Sequence, residues 1–187
     1  MSTRTPFTVA IIQDGVESTA DATLVATEQR IRDAHAKGAQ IVCLKELFNA
    51  PYFCKKLDAS RFDLAEEVTG PTVTRLRAVA KELAVVLVVP IYEKQGPGVY
   101  RNSAAVIDAD GALLGVYRKM HIPHDPLFEE KYYFAPGEST APVQPNAPGS
   151  RSERREPSRS GDHSVLVMAP VSAPCTSRAY FPSTPVV

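Results

Sequence analysis

The sequence carries no net charge. Its 187 residues include 21 lysines and arginines and 21 aspartates and glutamates, so the formal net charge is zero. A chain without net charge does not attract nucleic acid or an anionic membrane surface through its overall electric field. We therefore expect no nucleic-acid partner and no membrane partner, and we expect the ligand to be a small molecule or another protein.

Cysteine is scarce, and long hydrophobic runs are missing. The cysteines, Cys43, Cys54 and Cys175, are odd in number and widely spaced, which argues against a disulfide framework and for a reducing compartment. No apolar run approaches the about 20 residues of a membrane-spanning helix, and the first residues lack the apolar stretch of a signal peptide. These absences predict a cytoplasmic protein. No cluster with metal-ligand spacing is visible, so we expect no metal.

Strand and helix signals alternate along the first two thirds of the chain. Apolar runs predict strands at residues 7–12, 39–44, 84–92, 102–108 and 112–119. The last two are joined through Asp110-Gly111, a strong hairpin signal.

Two helices are predicted between these strands. Residues 19–37 bring four side chains to one face and end at Gly38; the four are Leu24, Thr27, Ile31 and Ala34. Gly70-Pro71 opens a second helix, whose apolar face holds Val73, Leu76, Ala80 and Leu83. Apolar strands interleaved with amphipathic helices predict an α/β fold with a sheet covered by helices.

The composition changes after Gly137. Residues 138–187 hold eight of the sixteen prolines but no lysine and no isoleucine, and the charged run at 151–159 is typical of disorder. Only residues 164–169 could form a strand. We therefore divide the chain into a partial domain at 7–137 and an irregular Pro/Ser/Arg-rich tail at 138–187. A frameshift, which we favour, an alternative splice or a divergent tail would each give this pattern.

Three charged residues follow predicted strands. Glu46 lies in Leu-Lys-Glu-Leu-Phe, Lys119 in Tyr-Arg-Lys-Met-His-Ile-Pro, and Glu130 in Phe-Glu-Glu-Lys-Tyr-Tyr-Phe. A charge brought to the end of a buried strand is costly unless it is paired or takes part in function. From charge pattern alone, Glu46 and Lys119 could be an ordinary ion pair, and Glu129 competes with Glu130 for its role.

These motifs resemble those of the cysteine-dependent carbon–nitrogen hydrolases, the nitrilase superfamily. Residues 7–13 resemble the family's opening strand, 44–48 its first glutamate motif and 117–123 its lysine motif, and the resemblance covers residues 7 to about 137. Residues 49–54 and 121–134 most resemble the N-carbamoylputrescine amidohydrolases. The resemblance implies the N-terminal part of an α-β-β-α four-layer sandwich, a homo-oligomer and no cofactor.

The resemblance also implies a reaction. N-carbamoylputrescine, or a similar N-carbamoyl amine, would be hydrolysed to amine, carbon dioxide and ammonia, a step of polyamine biosynthesis. A thiolate attacks the carbonyl, so the thiol needs a base and the oxyanion needs a cation or hydrogen-bond donors. By resemblance, Glu46 is the general base, Lys119 stabilises the oxyanion, and Glu130 orients the lysine or the substrate nitrogen.

The family's nucleophile motif, roughly Cys-Trp-Asp-Gln-Trp-Phe-Pro-Glu, has no counterpart in this chain, which has no tryptophan. Cys175 lies downstream as the family requires, but proline precedes it and acidic and aromatic neighbours are missing. Cys43 fits a buried inert thiol, and Cys54 follows an aromatic loop near Glu46, yet the family uses neither position. We assign no nucleophile and expect the chain to be inactive alone.

Other polar residues near the motifs have two interpretations. Tyr52 either lines a substrate pocket or caps the core. His121 and His124 lie in a proline-flanked loop, where a structural turn is favoured over substrate or metal binding.

Three rival interpretations stay open. The parent protein could be an ω-amidase, nitrilase or ureidopropionase. The chain could instead be a non-catalytic subunit, or pseudoenzyme, that docks on an intact partner. It could also be a truncated product that aggregates through uncovered apolar faces.

Overall fold

The computed structural model describes residues 7–138, and all structural statements concern this part of the chain. It contains five strands: β1 (Val9–Ile12), β2 (Ile41–Leu44), β3 (Val86–Gly96), β4 (Val99–Ile107) and β5 (Leu113–Arg118). Helix α1 (Ala20–Ala36) follows β1, α2 (Pro71–Leu83) precedes β3, and the short α3 (Glu130–Tyr133) follows β5. A 3₁₀ helix at Ala59–Leu64 was not predicted. The five strands predicted within residues 7–119 and both long helices are confirmed.

The strands form one mixed sheet in the order β1-β2-β3-β4-β5. The pairs β1–β2 and β2–β3 are parallel, whereas β3–β4 and β4–β5 are antiparallel. A parallel pair needs a long crossover connection, and the segments containing α1 and α2 supply the two crossovers. As a result, the carboxyl ends of β2, β3 and β5 meet the amino end of β4 at one edge of the sheet.

Both long helices cover the same face of the sheet, as the predicted α/β architecture requires. The predicted apolar face of α1 is buried, and so are Val73, Leu76 and Ala80 of α2, while Leu83 is partly buried. They pack on alternate strand residues: Ala10, Ile12, Val42, Leu44, Leu87, Val89, Ile91, Ala105 and Ile107. This burial of apolar surface is the main favourable term in folding.

Local signals fix the ends of the helices. The Thr19 hydroxyl accepts a hydrogen bond from Ala22 N at 3.1 Å and caps α1. Gly38 follows α1 with φ +90°, a conformation that favours glycine. The Glu66 carboxylate accepts from Thr72 N at 3.0 Å, so it caps the first turn of α2 from outside the helix. Sequence alone did not identify the role of Glu66.

The predicted hairpin between β4 and β5 is confirmed. Its turn closes through Gly111 N, which donates to Asp108 O at 2.9 Å, and Gly111 has φ +82°. A second hairpin joins β3 to β4 through Gly96-Pro97-Gly98, and β3 extends to Gly96 beyond the predicted residue 92. The extension was missed because residues 93–96 are not apolar.

The other face of the sheet is unevenly covered. Val86 and Val88 are buried on it, whereas Val9 and Ile11 of the edge strand β1 are 39% and 62% exposed. The predicted strand at 164–169 and the predicted disorder at 151–159 lie outside the described residues. No helix within 7–138 has both the length and the apolar character needed to cross a membrane.

A second, aromatic cluster supports the loops at the strand ends. It comprises Leu47, Phe53, Cys54, Tyr92, Ile122, Tyr133 and Phe134. The Phe53 ring lies 5.0 Å from both the Tyr92 and the Tyr133 ring, measured between centroids. The cluster therefore packs the loop after β2 against α3, and these segments carry three of the candidate site residues.

Candidate active site

The three charged residues singled out in the sequence meet at one edge of the sheet. Glu46 lies two residues beyond β2, Lys119 directly follows β5, and Glu130 is the first residue of α3. Lys119 Nζ lies 3.0 Å from Oε1 of Glu46 and 2.8 Å from Oε2 of Glu130. The fold therefore places one ammonium group between two carboxylates.

Lys119 is held as a cation. Burial by itself would lower the pKa of the lysine, but the hydrogen bonds that it donates to Glu130 and Glu46, with the charges of these carboxylates, outweigh this effect and raise the pKa above 10.5. Its side chain stays 23% exposed. Since its Nζ has three hydrogens and the two glutamates take two of them, one N–H remains for a further acceptor.

The two glutamates have different surroundings. The Glu130 side chain is 3% exposed, and both of its oxygens accept hydrogen bonds: Oε1 from the Tyr52 hydroxyl at 2.9 Å and Oε2 from Lys119. The Glu46 side chain is 27% exposed, and within residues 7–138 both of its hydrogen bonds reach Oε1. Oε2 of Glu46 is thus the carboxylate oxygen free to take a proton.

Tyr52 lies beside Glu130 rather than apart from the trio. Its hydroxyl donates to Glu130, and burial followed by the charge and hydrogen bond of Glu130 raises the pKa of Tyr52 well above 10.0. The hydroxyl therefore stays protonated and remains a donor. Glu129, which competed with Glu130 in the sequence, instead lies 3.4 Å from Nδ1 of His124.

The backbone turns directly after Glu46. Leu47, the next residue, has φ +49°, a left-handed conformation that is uncommon for a residue with a side chain. Leu47 is buried in the aromatic cluster, which holds this turn in place. The sequence contains no glycine at this point and so did not predict the turn.

Asn102 is a site residue that sequence reasoning missed. It lies in β4, is 5% exposed, and donates from Nδ2 to Oε1 of Glu46 at 2.6 Å. Its backbone carbonyl accepts from Lys119 N at 2.8 Å. A usable signal was present, because Arg101-Asn102-Ser103 is a polar run that leads into an apolar strand.

Neither described cysteine has the properties of an activated nucleophile. Cys54 is fully buried, and burial, followed by the charges of Glu130 and Glu46, raises the pKa of its thiol despite the opposing effect of Lys119. Burial also raises the pKa of Cys43, which lies inside β2. A nucleophilic thiol needs a lowered pKa or a base beside it. Cys175 lies outside the described residues.

The two histidines are at the surface, in the loop that precedes α3. His121 and His124 are both exposed, and His124 contacts Glu129. Among residues 7–138, no group of three or more His, Cys, Asp or Glu side chains is arranged to hold a metal ion.

This arrangement suits acyl-transfer chemistry. A carboxylate with one open oxygen can accept and return a proton, and a fixed ammonium group beside it can stabilise an oxyanion. The second carboxylate keeps the ammonium in place and compensates its charge.

Comparisons with known proteins agree with this chemistry. The family model described as carbon-nitrogen hydrolase matches residues 8–149. N-carbamoylputrescine amidase from Solanum lycopersicum is 43% identical over 133 residues, which cover 71% of this chain and 44% of that protein. A citrullinase from Francisella tularensis is 40% identical (69% and 45% covered), and an omega-amidase from Homo sapiens is 34% identical (72% and 49%). The chain thus spans about half the length of the curated relatives it matches.

Solved structures share the fold. A carbon-nitrogen hydrolase from Helicobacter pylori superposes with a TM-score of 0.68 at 36% identity, covering 71% of this chain and 45% of that one. A mutant of the Nesterenkonia amidase in complex with butyramide gives a TM-score of 0.60 at 26% identity, covering 76% and 52%. The family match extends over more than half of this chain, and the chain belongs to the carbon–nitrogen hydrolase family, the nitrilase superfamily.

Proposed function

We propose that this chain supplies the N-terminal part of an amidohydrolase active site, in which Glu46 is the general base and Lys119 binds the oxyanion. The observation that carries the proposal is the division between the carboxylates. Within the described part of the chain Glu46 leaves Oε2 open, whereas Glu130 uses both oxygens to hold Tyr52 and Lys119. Only Glu46 is therefore free to move a proton, and Glu130 positions the lysine.

In the proposed reaction, Glu46 takes the proton of a cysteine thiol as the sulfur attacks the carbonyl carbon. The carbonyl oxygen becomes an oxyanion beside the free N–H of Lys119. The carbon–nitrogen bond then breaks, and the amine leaves with the proton from Glu46. Glu46 next deprotonates a water, which attacks the thiocarbamate carbon; the carbon–sulfur bond breaks, and the cysteine sulfur regains its proton from Glu46. The carbamic acid released yields carbon dioxide and ammonia.

We further propose that the substrate is an N-carbamoyl amine such as N-carbamoylputrescine. Sequence identity supports this class, since the similar N-carbamoylputrescine amidases are 42–45% identical to this chain and the omega-amidases 33–35%. Citrulline, which the name of the Francisella relative indicates, also ends in a ureido group on a carbon chain. A terminal ureido group is thus the chemistry we expect the site to accept.

The nucleophile is the part that this chain leaves open. A neighbouring Nesterenkonia amidase is described with covalent addition at its active site cysteine. In this chain the thiols of Cys43 and Cys54 do not fit that role, and Cys175 lacks the family's sequence context. We therefore propose that the 187-residue chain has no carbamoyl-hydrolase activity by itself.

A completed enzyme tests the proposal. It joins residues 1–137 of this chain to the C-terminal part of the Solanum lycopersicum relative, and it should release ammonia from N-carbamoylputrescine. The 187-residue chain should release none. Activity in the chain that is lost in Cys175→Ala would contradict the nucleophile assignment. An ω-amide, a nitrile and a ureido acid, assayed beside N-carbamoylputrescine, separate the rival substrate classes; faster turnover of any of them would replace the substrate named here.

A non-catalytic subunit is the second candidate, and the exposed Val9 and Ile11 on edge strand β1 favour it. Exposed apolar side chains on an edge strand promote association. Co-expression with the tagged Solanum lycopersicum enzyme should then recover this chain in a defined ratio, and less of it for Ile11→Lys. If this chain is not recovered with the tagged enzyme, the subunit candidate is wrong and the chain is an incomplete enzyme. We also propose that the protein forms homo-oligomers, as the family resemblance implies. We propose a cytoplasmic location as well, which the free thiols of Cys43 and Cys54 support.

A further inference from the structure

Asn102 links the two residues that the proposed mechanism uses. Its carbonyl accepts the backbone N–H of Lys119 at 2.8 Å, and its Nδ2 donates to Oε1 of Glu46 at 2.6 Å. The side chain is buried in β4, where the antiparallel ladder pairs Asn102 with Tyr92. One residue on a central strand thus touches both the base and the lysine.

The bond to Glu46 determines which carboxylate oxygen is free. Asn102 and Lys119 both donate to Oε1, and Oε2 has no hydrogen-bond partner within residues 7–138. Glu46 itself lies in a loop that turns at the left-handed Leu47. Without Asn102, the carboxylate keeps Lys119 as its single described donor and can rotate about its last bond.

We propose that Asn102 is a positioning residue that locks the Glu46 carboxylate with Oε2 facing the substrate; this rests on the proposed function. Hydrogen bonds to an ionised group are stronger than neutral ones, so one amide donor is sufficient to fix the rotation. These contacts also fix the relative positions of Glu46 and Lys119, since Asn102 binds the side chain of Glu46 and the backbone of Lys119.

The next residue provides a matched control. Ser103 is also buried, and its hydroxyl donates to Oε2 of Glu93 at 2.5 Å. Glu93 is 2% exposed and is bound by Arg118, so this carboxylate is a closed structural pair. Like Asn102, Ser103 lies in β4 and donates to a carboxylate. Ser103→Ala therefore removes a comparable hydrogen bond but leaves the contacts of Glu46 unchanged.

Kinetics of the completed enzyme test the role in catalysis. Asn102→Leu keeps the size of the side chain but removes the donor, and we expect kcat to fall by about tenfold or more while KM changes by less than about threefold. Ser103→Ala should leave kcat per folded molecule within about twofold. If Asn102→Leu keeps the parent's kcat, or if Ser103→Ala lowers kcat equally, the proposal is wrong.

A pH series on the 187-residue chain tests the contact without requiring activity. Asn102→Asp has the same shape but adds a carboxylate to a site that already holds Glu46, Glu130 and one cation, Lys119, near the neutral Tyr52 and Cys54. Two carboxylates this close share a proton. The folded variant then binds that proton more tightly than the unfolded chain, so stability is present at low pH and lost as pH rises.

We therefore expect the Tm deficit of Asn102→Asp relative to the parent to shrink by about 2 °C or more between pH 8 and pH 5. Asn102→Leu, which adds no titrating group, should show a smaller change in its deficit over the same pH range. A constant deficit for Asn102→Asp would mean that Asn102 does not face Glu46, and would overturn the inference. An inactive completed parent would count against the proposed function alone, because the Tm series is independent of turnover.

Discussion

The helix-covered face of the sheet and the edge at the strand ends are built by opposite means. On the covered face, Ile31 of α1 and Leu76 of α2 are fully buried among aliphatic side chains, and the hydroxyl of the buried Thr27 is satisfied within α1. At the edge, Glu46, Lys119 and Glu130 come from three segments and are held by hydrogen bonds. Stability is concentrated in the first region and chemistry in the second.

This difference separates two kinds of mutational effect. Loss of a methyl group from the covered face removes buried apolar area and leaves a cavity, and this cost does not depend on the orientation of the contact. Loss of one hydrogen-bond donor at the edge changes the orientation of a charged side chain, although the buried area changes little. Variants in the two regions should therefore affect unfolding and turnover separately.

The largest effect is expected in the covered face. Leu76→Ala should lower the free energy of unfolding by about 2–5 kcal/mol, because the side chain is fully buried beneath α2. Urea unfolding of the 187-residue chain measures the loss. Val25→Ala on α1, where the side chain is 48% exposed, is the control and should change it by less than about 0.5 kcal/mol. Similar losses for both variants would show that the helices do not pack as described.

The next effect is expected at the edge. In the completed enzyme, Glu46→Gln and Lys119→Ala should each reduce kcat by about a hundredfold or more, because proton transfer and oxyanion stabilisation act mainly in the transition state. KM should change much less. Lys131→Ala removes an exposed lysine next to Glu130 and serves as control. If either variant keeps turnover within a few-fold of the parent, the substituted residue is only a member of a structural ion pair.

Periodicity predicted the covered face because each of its elements repeats one short pattern. Leu24, Thr27, Ile31 and Ala34 are spaced for a single helix face, and all four are buried. Pro71 begins α2 and Gly111 closes the β4–β5 turn, as their restricted or permissive backbones predict. These features depend on neighbours in sequence, so one sequence is sufficient to identify them.

The edge could be predicted only in part. Glu46, Lys119 and Glu130 were identified by resemblance to family motifs, but their distances and unequal exposure depend on contacts between residues 11 to 73 positions apart. Asn102 was missed because the polar run at the start of an apolar strand marks the position but does not indicate the partner of each side chain. The left-handed Leu47 was missed because no glycine marks it.

A smaller effect is expected for Tyr52, whose role can be separated by kinetics. Tyr52→Phe removes the hydrogen bond to Oε1 of Glu130 and keeps the ring, which lies 6.0 Å from that of Phe128 between centroids. In the completed enzyme, kcat should fall by about tenfold with KM nearly unchanged, since hydrogen bonds to charged groups are worth about 1.5–3 kcal/mol. A raised KM with kcat unchanged would instead make Tyr52 a substrate-binding residue, one of the two roles that the sequence left open.

The smallest expected effect is a near absence of reaction at Cys54. The side chain is fully buried, and burial, with Glu130 and Glu46 next, raises the pKa of the thiol above 9.0. Below pH 9 this thiol stays protonated in the folded chain, and the stability it contributes is lost only as pH rises through the folded-state pKa.

Because the thiolate is the reactive form, iodoacetamide at pH 8 should alkylate Cys54 at least about tenfold more slowly in the folded chain than in urea. Peptide mass spectrometry follows each cysteine, and Cys43, which is partly exposed, should react before Cys54. Equal rates for Cys54 in both conditions would show that the aromatic cluster opens readily in the folded chain. The side chains at the strand ends would then not be held in fixed positions near this residue.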